Sequence, residues 1–249
     1  MSGHSKWAQI KHKKAKTDQA RGKAFSKLIR LITVAARQGG GSIENNARLR
    51  LAVQKAREMN MPQENIEKAI KKGTGELEGF AYEEVIYEGY GPGGVAIMVE
   101  ATTDNRNRTT AELRHIFSRY GGSLGESGCV SWVFERQGLI SFEKDKVNEE
   151  ELTLVAIDAG AQDIRTTETT IDVIITPEDF ETVKEALEGQ GFRYAVAQIS
   201  MVPKNTVSVE GKQAQQVLDL MEALEEHDDV QEVYANFDIA DELMESLKG

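Results

Sequence analysis

SGHSKWAQIKHKKAKTDQARGKAFSKLIR, residues 2–30, sets how the rest of the chain divides. Residues 1–30 carry nine Lys/Arg against one acid, Asp18. Across all 249 residues there are 30 Lys/Arg and 41 Asp/Glu, a net charge of −11, so the positive charge is concentrated at one end. Residues 1–75 hold 17 Lys/Arg and 5 Asp/Glu, a net of +12, and residues 76–249 hold 13 and 36, a net of −23. A chain built this way has one end suited to a polyanion and a remainder that repels it. The candidate nucleic-acid contacts are therefore Lys6, Trp7, Lys11, Lys13, Lys14, Lys16, Arg21, Lys23, Lys27 and Arg30. The cations would hold phosphates, and Trp7 could stack on a base or be buried.

Residues 1–16 show no apolar period and read as an arm. Behind it, Phe25, Leu28, Ile29, Ile32, Ala35 and Ala36 fall at helical spacing, with Lys23, Lys27, Arg30 and Arg37 on the opposite face. Phe25 opens the stripe and so reads as core. The triple glycine at 39–41 ends this helix. Asn45 or Asn46 can cap a second, with Leu49, Ala52, Val53, Ala56 and Met59 inward and Arg48, Arg50, Lys55 and Arg57 flanking them. A third begins at Pro62 and is expected to end at Gly73, with Lys71 and Lys72 suiting its C-terminal dipole.

The charge balance reverses across 73–79, which reads as a linker. Two strands, 83–88 and 95–101, flank the joint GYGPGG. This matches GxGxxG in form, but it leads into a strand and contains Pro92, so it reads as a hairpin connection rather than a cofactor loop. TTDNRNRTT, residues 102–110, precedes a helix, with Thr109 and Glu112 at capping-box spacing. Arg106 and Arg108 are expected just ahead of that helix's N-terminus, where they form a phosphate site or pair with acids of their own half. GGSLGESG, residues 121–128, contains a formal G-x-S-x-G, but the order of helix and strand around it is the reverse of a nucleophile elbow. Asp104, His115, Ser123, Ser127 and Cys129 supply catalytic residue types, yet nothing in the sequence brings them together. An alternating strand is expected at 129–135, with Val130, Trp132 and Phe134 on one face.

From Gly138 the pattern runs β-α-β-β-α-β to Pro203, the ferredoxin-like unit. A helix near 211–226 and a strand near 230–237 then follow. The segment from 80 to 136 supplies β-β-α-β and lacks a closing helix and strand. The expected architecture is α+β: a basic helical domain at 1–75, a discontinuous α/β domain at 80–136 plus 205–240, and a ferredoxin-like domain at 137–204 inserted into it.

No run reaches the 18–20 or so apolar residues that cross a bilayer, and no apolar segment behind the basic start suggests a secretory signal. One cysteine, Cys129, fits a reducing compartment. Four scattered histidines give no metal pattern. The chain is thus read as cytoplasmic and non-enzymatic, with no cofactor, metal, membrane or small-molecule substrate.

The strings SGHSKWAQIKHKKAKTDQARGKAFSKLIR, NMPQENIEKAIKKG, YEGYGPGGVAIMVEATTDNRNRT and RHIFSRYGGSLGESGCVSWVF closely resemble the YebC family, over nearly the whole chain. Modest departures are Leu31 where an acid is common, a 41–46 loop without the usual DP, and Cys129 for a usual Ser. The resemblance implies three domains, a cytoplasmic protein and no known catalytic activity. It also implies DNA binding for some members and action on the ribosome for others. The functional expectation is a DNA-binding transcriptional regulator, with a ribosome-associated translation factor that binds rRNA or mRNA as the alternative.

Overall fold

The structure, a computed structural model, describes residues 7–9, 18–79 and 81–240. Three helices come first: α1 (Asp18–Gly39), α2 (Ala47–Glu58) and α3 (Gln63–Thr74). Leu28, Ile32, Ala35 and Ala36 of α1 close on Leu49, Val53 and Ala56 of α2 and on Ile66 and Ala69 of α3. Asn46 fixes the turn between the first two helices. Its side chain accepts from Leu49 N as the cap of α2 and donates to Ala35 O and Gly40 O, at 2.8 and 2.9 Å. The third helix runs one residue past the expected stop and is capped by Gly75 at φ 83°. Gly73 lies against α1 instead. A Cβ there would stand 2.4 Å from Thr33 O and 2.7 Å from Ala36 Cβ, so the crossing of α3 on α1 requires a glycine.

Strands β1 (Glu83–Tyr90) and β2 (Ala96–Thr103) pair antiparallel across the tight joint at Gly91–Val95. Helix α4 (Arg106–Arg119) and the short β3 (Ser123–Leu124) follow. A second run then comprises β4 (Phe134–Glu143), α5 (Glu149–Asp158), β5 (Asp163–Thr166), β6 (Thr170–Ile175), α6 (Phe180–Gly189) and β7 (Val196–Pro203). The described chain closes with β8 (Val207–Ser208), α7 (Gly211–Glu226), β9 (Val230–Ala235) and β10 (Phe237–Asp238).

The strands form two four-stranded antiparallel sheets, β3-β1-β2-β9 and β5-β6-β4-β7, and β8 and β10 make a small parallel pair. In each large sheet the two central strands are flanked in the same way. The strand reached through a helix from β2 or β4 lies at one edge, and the strand that follows α7 or α6 lies at the other. Helices α4 and α7 cover one face of the first sheet, where Leu113, Phe117, Val217, Leu220 and Leu224 meet Val85, Ile97 and Val99. Helices α5 and α6 cover the second sheet through Leu152, Ala156, Val183 and Leu187 on Ile140, Phe142 and Val173.

Two local expectations are corrected. Residues 129–135 do not alternate as a strand: Ser131–Val133 is a 3-10 turn, β4 begins at Phe134, and Trp132 is 64 % exposed. The cause is Glu88, buried on β1, whose carboxylate accepts the backbone N–H groups of Gly128, Val130 and Ser131, each at 2.7 Å, and so curls this segment into a loop. Burial alone would raise the Glu88 carboxyl, but these donors carry it below the ordinary range. The cap of α4 is Asn105, which accepts from Arg108 N at 3.1 Å. Thr109 is buried inside the helix, and Arg106 and Arg108 occupy its first turn rather than the approach to it.

Candidate nucleic-acid interface

The side chains of Lys23, Lys27 and Arg30 emerge from α1 at spacings of four and three residues and so share one face. That face is turned to the C-terminal end of α7, where the helix presents carbonyl groups without helical partners. Lys27 Nζ donates to Glu225 O at 2.7 Å and Lys23 Nζ to Glu226 O at 3.5 Å. Arg30 donates to Asp228 O and, at 2.6 Å, to Asp229 Oδ1. Its guanidinium also lies 5.7 Å from the centre of the Tyr82 ring.

Asp229 is the hub of this contact. It is 2 % exposed. Its Oδ2 accepts from Arg108 Nη2 at 2.7 Å, Thr109 Oγ1 at 2.6 Å and Thr103 Oγ1 at 3.2 Å. Burial pushes its carboxyl up, but Thr109, Arg108 and Arg30 outweigh that and hold it below the ordinary range. Arg108 is also bonded to Asp104 at 2.9 Å and lies 3.9 Å from Glu112 Oε2, so its three carboxylate partners all come from its own half of the chain. Arg106 is exposed and makes no ion pair with a described residue.

Trp7 is 6 % exposed and packs into the core beneath α4 and α7, with Nε1 donating to Glu225 Oε1 at 2.9 Å. In this arrangement its ring is not offered to a base. Two residues on, Gln9 Nε2 donates to Ser141 Oγ at 2.8 Å, and that hydroxyl donates to Asp172 Oδ1 at 2.6 Å on the second sheet. One short turn is thus fastened to both sheets. Lys6, Lys11, Lys13, Lys14 and Lys16, and the side chain of Arg21, lie outside the described residues.

The cations of α2 and α3 have a different setting. Arg37, Lys55, Arg57, Lys71 and Lys72 are exposed and make no ion pair with a described residue. Arg50 is exposed and, among the described residues, donates only to the carbonyls of Ile43 and Glu44. Leu51, 61 % exposed, lies among them. Arg48 is bound to Glu84 and Gln38, and Lys68 to Glu64. The sequence did contain a signal for these open charges: α2 carries four basic residues and one acid, Glu58, so most of its cations have no acid at helical spacing.

Glu112, His227 and Asp229 bring donor atoms within 4.8 Å of one another, the spacing of a metal site. Their lone pairs are already committed. His227 Nδ1 accepts from Asp229 N at 3.1 Å, Nε2 faces Glu112 Oε2 at 2.9 Å, and the Asp229 carboxylate is held by two guanidinium groups that would repel a cation. The trio is a hydrogen-bonded chain rather than a ligand set. Of the catalytic residue types, Asp104 is taken by Arg108, and the half-buried Cys129 thiol is pushed up by burial and by Glu88, away from the reactive thiolate. No described helix is long and apolar enough to cross a membrane.

The chain is similar to known proteins along its length. Residues 5–76 match the TACO1/YebC protein N-terminal domain, and residues 82–237 match the TACO1/YebC second and third domain. A protein of Natranaerobius thermophilus is 59 % identical over 249 residues, covering 99 % of this chain and 100 % of that one. Another, from Thermotoga petrophila, is 59 % identical over 248 residues, covering 99 % and 98 %. Each bears the name "Probable transcriptional regulatory protein". The crystal structure of a conserved hypothetical protein from Aquifex aeolicus is 56 % identical and superposes with a TM-score of 0.78, covering 91 % of this chain and 94 % of that one. With both matches lying on the helical and sheet regions described above, the chain belongs to the TACO1/YebC family.

Proposed function

We propose that this protein is a non-enzymatic regulator that binds nucleic acid through the exposed cations of α2 and α3, acting as a DNA-binding transcriptional regulator. One observation carries the reading: Arg50, Lys55, Arg57, Lys71 and Lys72 face solvent without an acidic partner among the described residues, in a chain whose residues 76–249 carry a net charge of −23. Such cations exchange condensed counterions for phosphate contacts, a sequence-independent source of affinity. The relatives' names support the regulatory role. Lys11, Lys13, Lys14 and Lys16 of the arm remain part of the proposed contact, and Arg106 is the remaining candidate for a phosphate at the start of α4.

The same surface would serve a ribosome-associated translation factor, because phosphate-holding side chains do not by themselves separate duplex DNA from structured RNA. Binding to a promoter-length DNA duplex, to RNA and to ribosomes, measured at matched salt, separates the two. Tight sequence-dependent duplex binding without ribosome association supports the regulator, and the reverse result supports the translation factor. A test of the arm must spare Trp7, which the core uses. Replacing Lys11, Lys13, Lys14 and Lys16 with Gln is therefore more informative than truncation. We further propose folding units at 1–75, at 80–136 with 205–240, and at 137–204. This division is supported by the apolar clusters of the helices and beneath each sheet, which are separate apart from Trp7 in the first sheet's cluster, and by the pairing of β9 with β2. A cytoplasmic site of action fits the lone Cys129.

A further inference from the structure

We propose that α1 and the segment 225–229 form an electrostatic latch, closed in this structure, which a nucleic-acid backbone opens by taking Lys23, Lys27 and Arg30. The inference rests on the binding reading above and adds a regulated second set of contacts to it.

Six observations carry it. The described side-chain contacts from α1 and α2 to the sheets are polar: Lys23 and Lys27 on carbonyls, Arg30 on Asp228 O and the Asp229 carboxylate, and Arg48 and Gln38 on Glu84. The apolar cluster of the three helices shares no residue with that of the first sheet; Trp7, which joins the latter, precedes α1 and is separated from it by residues 10–17, so α1 can move while Trp7 stays seated. What the 225–229 segment offers Arg30 is a set of oxygens, the chemistry a phosphate also offers. Release of Arg30 does not strand a buried charge, because Asp229 keeps Arg108, Thr109 and Thr103. The connection between the helices and the first sheet passes through the exposed stretch 74–79, with Gly75 in the left-handed region and Gly79 beyond it, a joint that can turn. An open cleft of about 870 Å³ already follows the seam, with Lys23, Arg30 and Arg108 on its walls beside the acids Glu112, Glu226, Asp228 and Asp229 they neutralise in part.

The two cation sets then act in order. Those of α2 and α3 meet the polyanion with the latch closed, and those of α1 join when it opens.

The test is a spin-label distance by pulsed electron paramagnetic resonance in the full chain. Labels go on Gln54→Cys and Glu185→Cys, both exposed, in a Cys129→Ser background. The probes are a mixed-sequence RNA of about 30 nucleotides and a DNA duplex of the same sequence, the release of counterions being common to both. The expected result is a lengthened distance at saturation. A response to only one probe identifies the polymer that opens the latch. Asp229→Asn, which loosens Arg30, is expected to raise affinity about threefold to tenfold. The wild-type distance decides the question if that variant fails to fold. Saturable binding with an unmoved distance overturns the latch and leaves the binding reading intact. Absence of binding to both probes overturns the binding reading, and the latch loses its ligand.

Discussion

The cations of α1 and those of α2 and α3 have the same sign and sit on adjacent helices, yet their surroundings differ. Lys23, Lys27 and Arg30 meet the carbonyl end of α7 and the carboxylate of Asp229. Arg50, Lys55, Arg57, Lys71 and Lys72 meet solvent. Counting charge along a chain cannot separate these fates, because the partners of the first set lie about two hundred positions away in sequence. The comparison shows that cations of one basic segment can be turned to the protein's own body or left to solvent, and that here the two settings fall on different helices.

The comparison can be broken most decisively at the open set. Replacing Arg50, Lys55, Arg57, Lys71 and Lys72 together with Gln should lower nucleic-acid affinity by on the order of 10²–10⁴-fold at low salt, measured by fluorescence anisotropy, with helicity unchanged by circular dichroism. Next in size is Trp7→Ala, expected to cost about 3 kcal/mol in denaturant unfolding, the cost of emptying a buried aromatic site. A negligible cost would show that the turn at residues 7–9 does not fasten the sheets.

Asp229→Ala should cost about 2–3 kcal/mol, below the full penalty for breaking a buried pair because Arg30 and Arg108 can turn toward water. The Asp229 carboxyl titrates lower in the folded chain than in the unfolded one. Its stabilisation is therefore fully present above the unfolded value and is lost as pH falls through the depressed folded value. Acid unfolding of the wild type should show this loss, and the variant should lack it.

The smallest effect is expected at Glu100. Burial, and Glu232 facing it across the β2–β9 pair, push its carboxyl up. A raised carboxyl stabilises below its unfolded value and loses that contribution as pH rises through the folded one. Glu100→Gln should thus raise Tm by about 1–3 °C at pH 8, with the gain vanishing in acid.

The α+β character was legible in local pattern. The stripe from Phe25 to Ala36 reads as a helix because its apolar residues recur at helical spacing, and the hairpin at Gly91–Val95 reads from its glycines and Pro92. The misreadings share a physical origin. Residues 129–135 have the alternation of a strand, but their backbone N–H groups are claimed by Glu88, some forty positions earlier, and local sequence carries no sign of that. Thr109 has the spacing of a cap, yet its hydroxyl is drawn to Asp229, and Asn105, extended at φ −148°, caps instead. Trp7 stands alone among lysines with no periodic neighbours, and the partner that shows its burial, Glu225, is 218 residues away. Gly73 has the residue type of a helix stop, but its missing Cβ serves a helix crossing.

The most direct test of the account is the salt dependence of nucleic-acid binding in the wild type and in two variants, one with the five open cations neutralised and one with Lys23 and Lys27 neutralised. With each lost phosphate contact lowering the slope of log K against log salt by about 0.7–0.9, the account predicts a drop of about 3–5 for the open set and of at most about 2 for the α1 pair. An unchanged slope in the first variant, with a reduced slope in the second, would place the contact on the docked face of α1 and contradict the account.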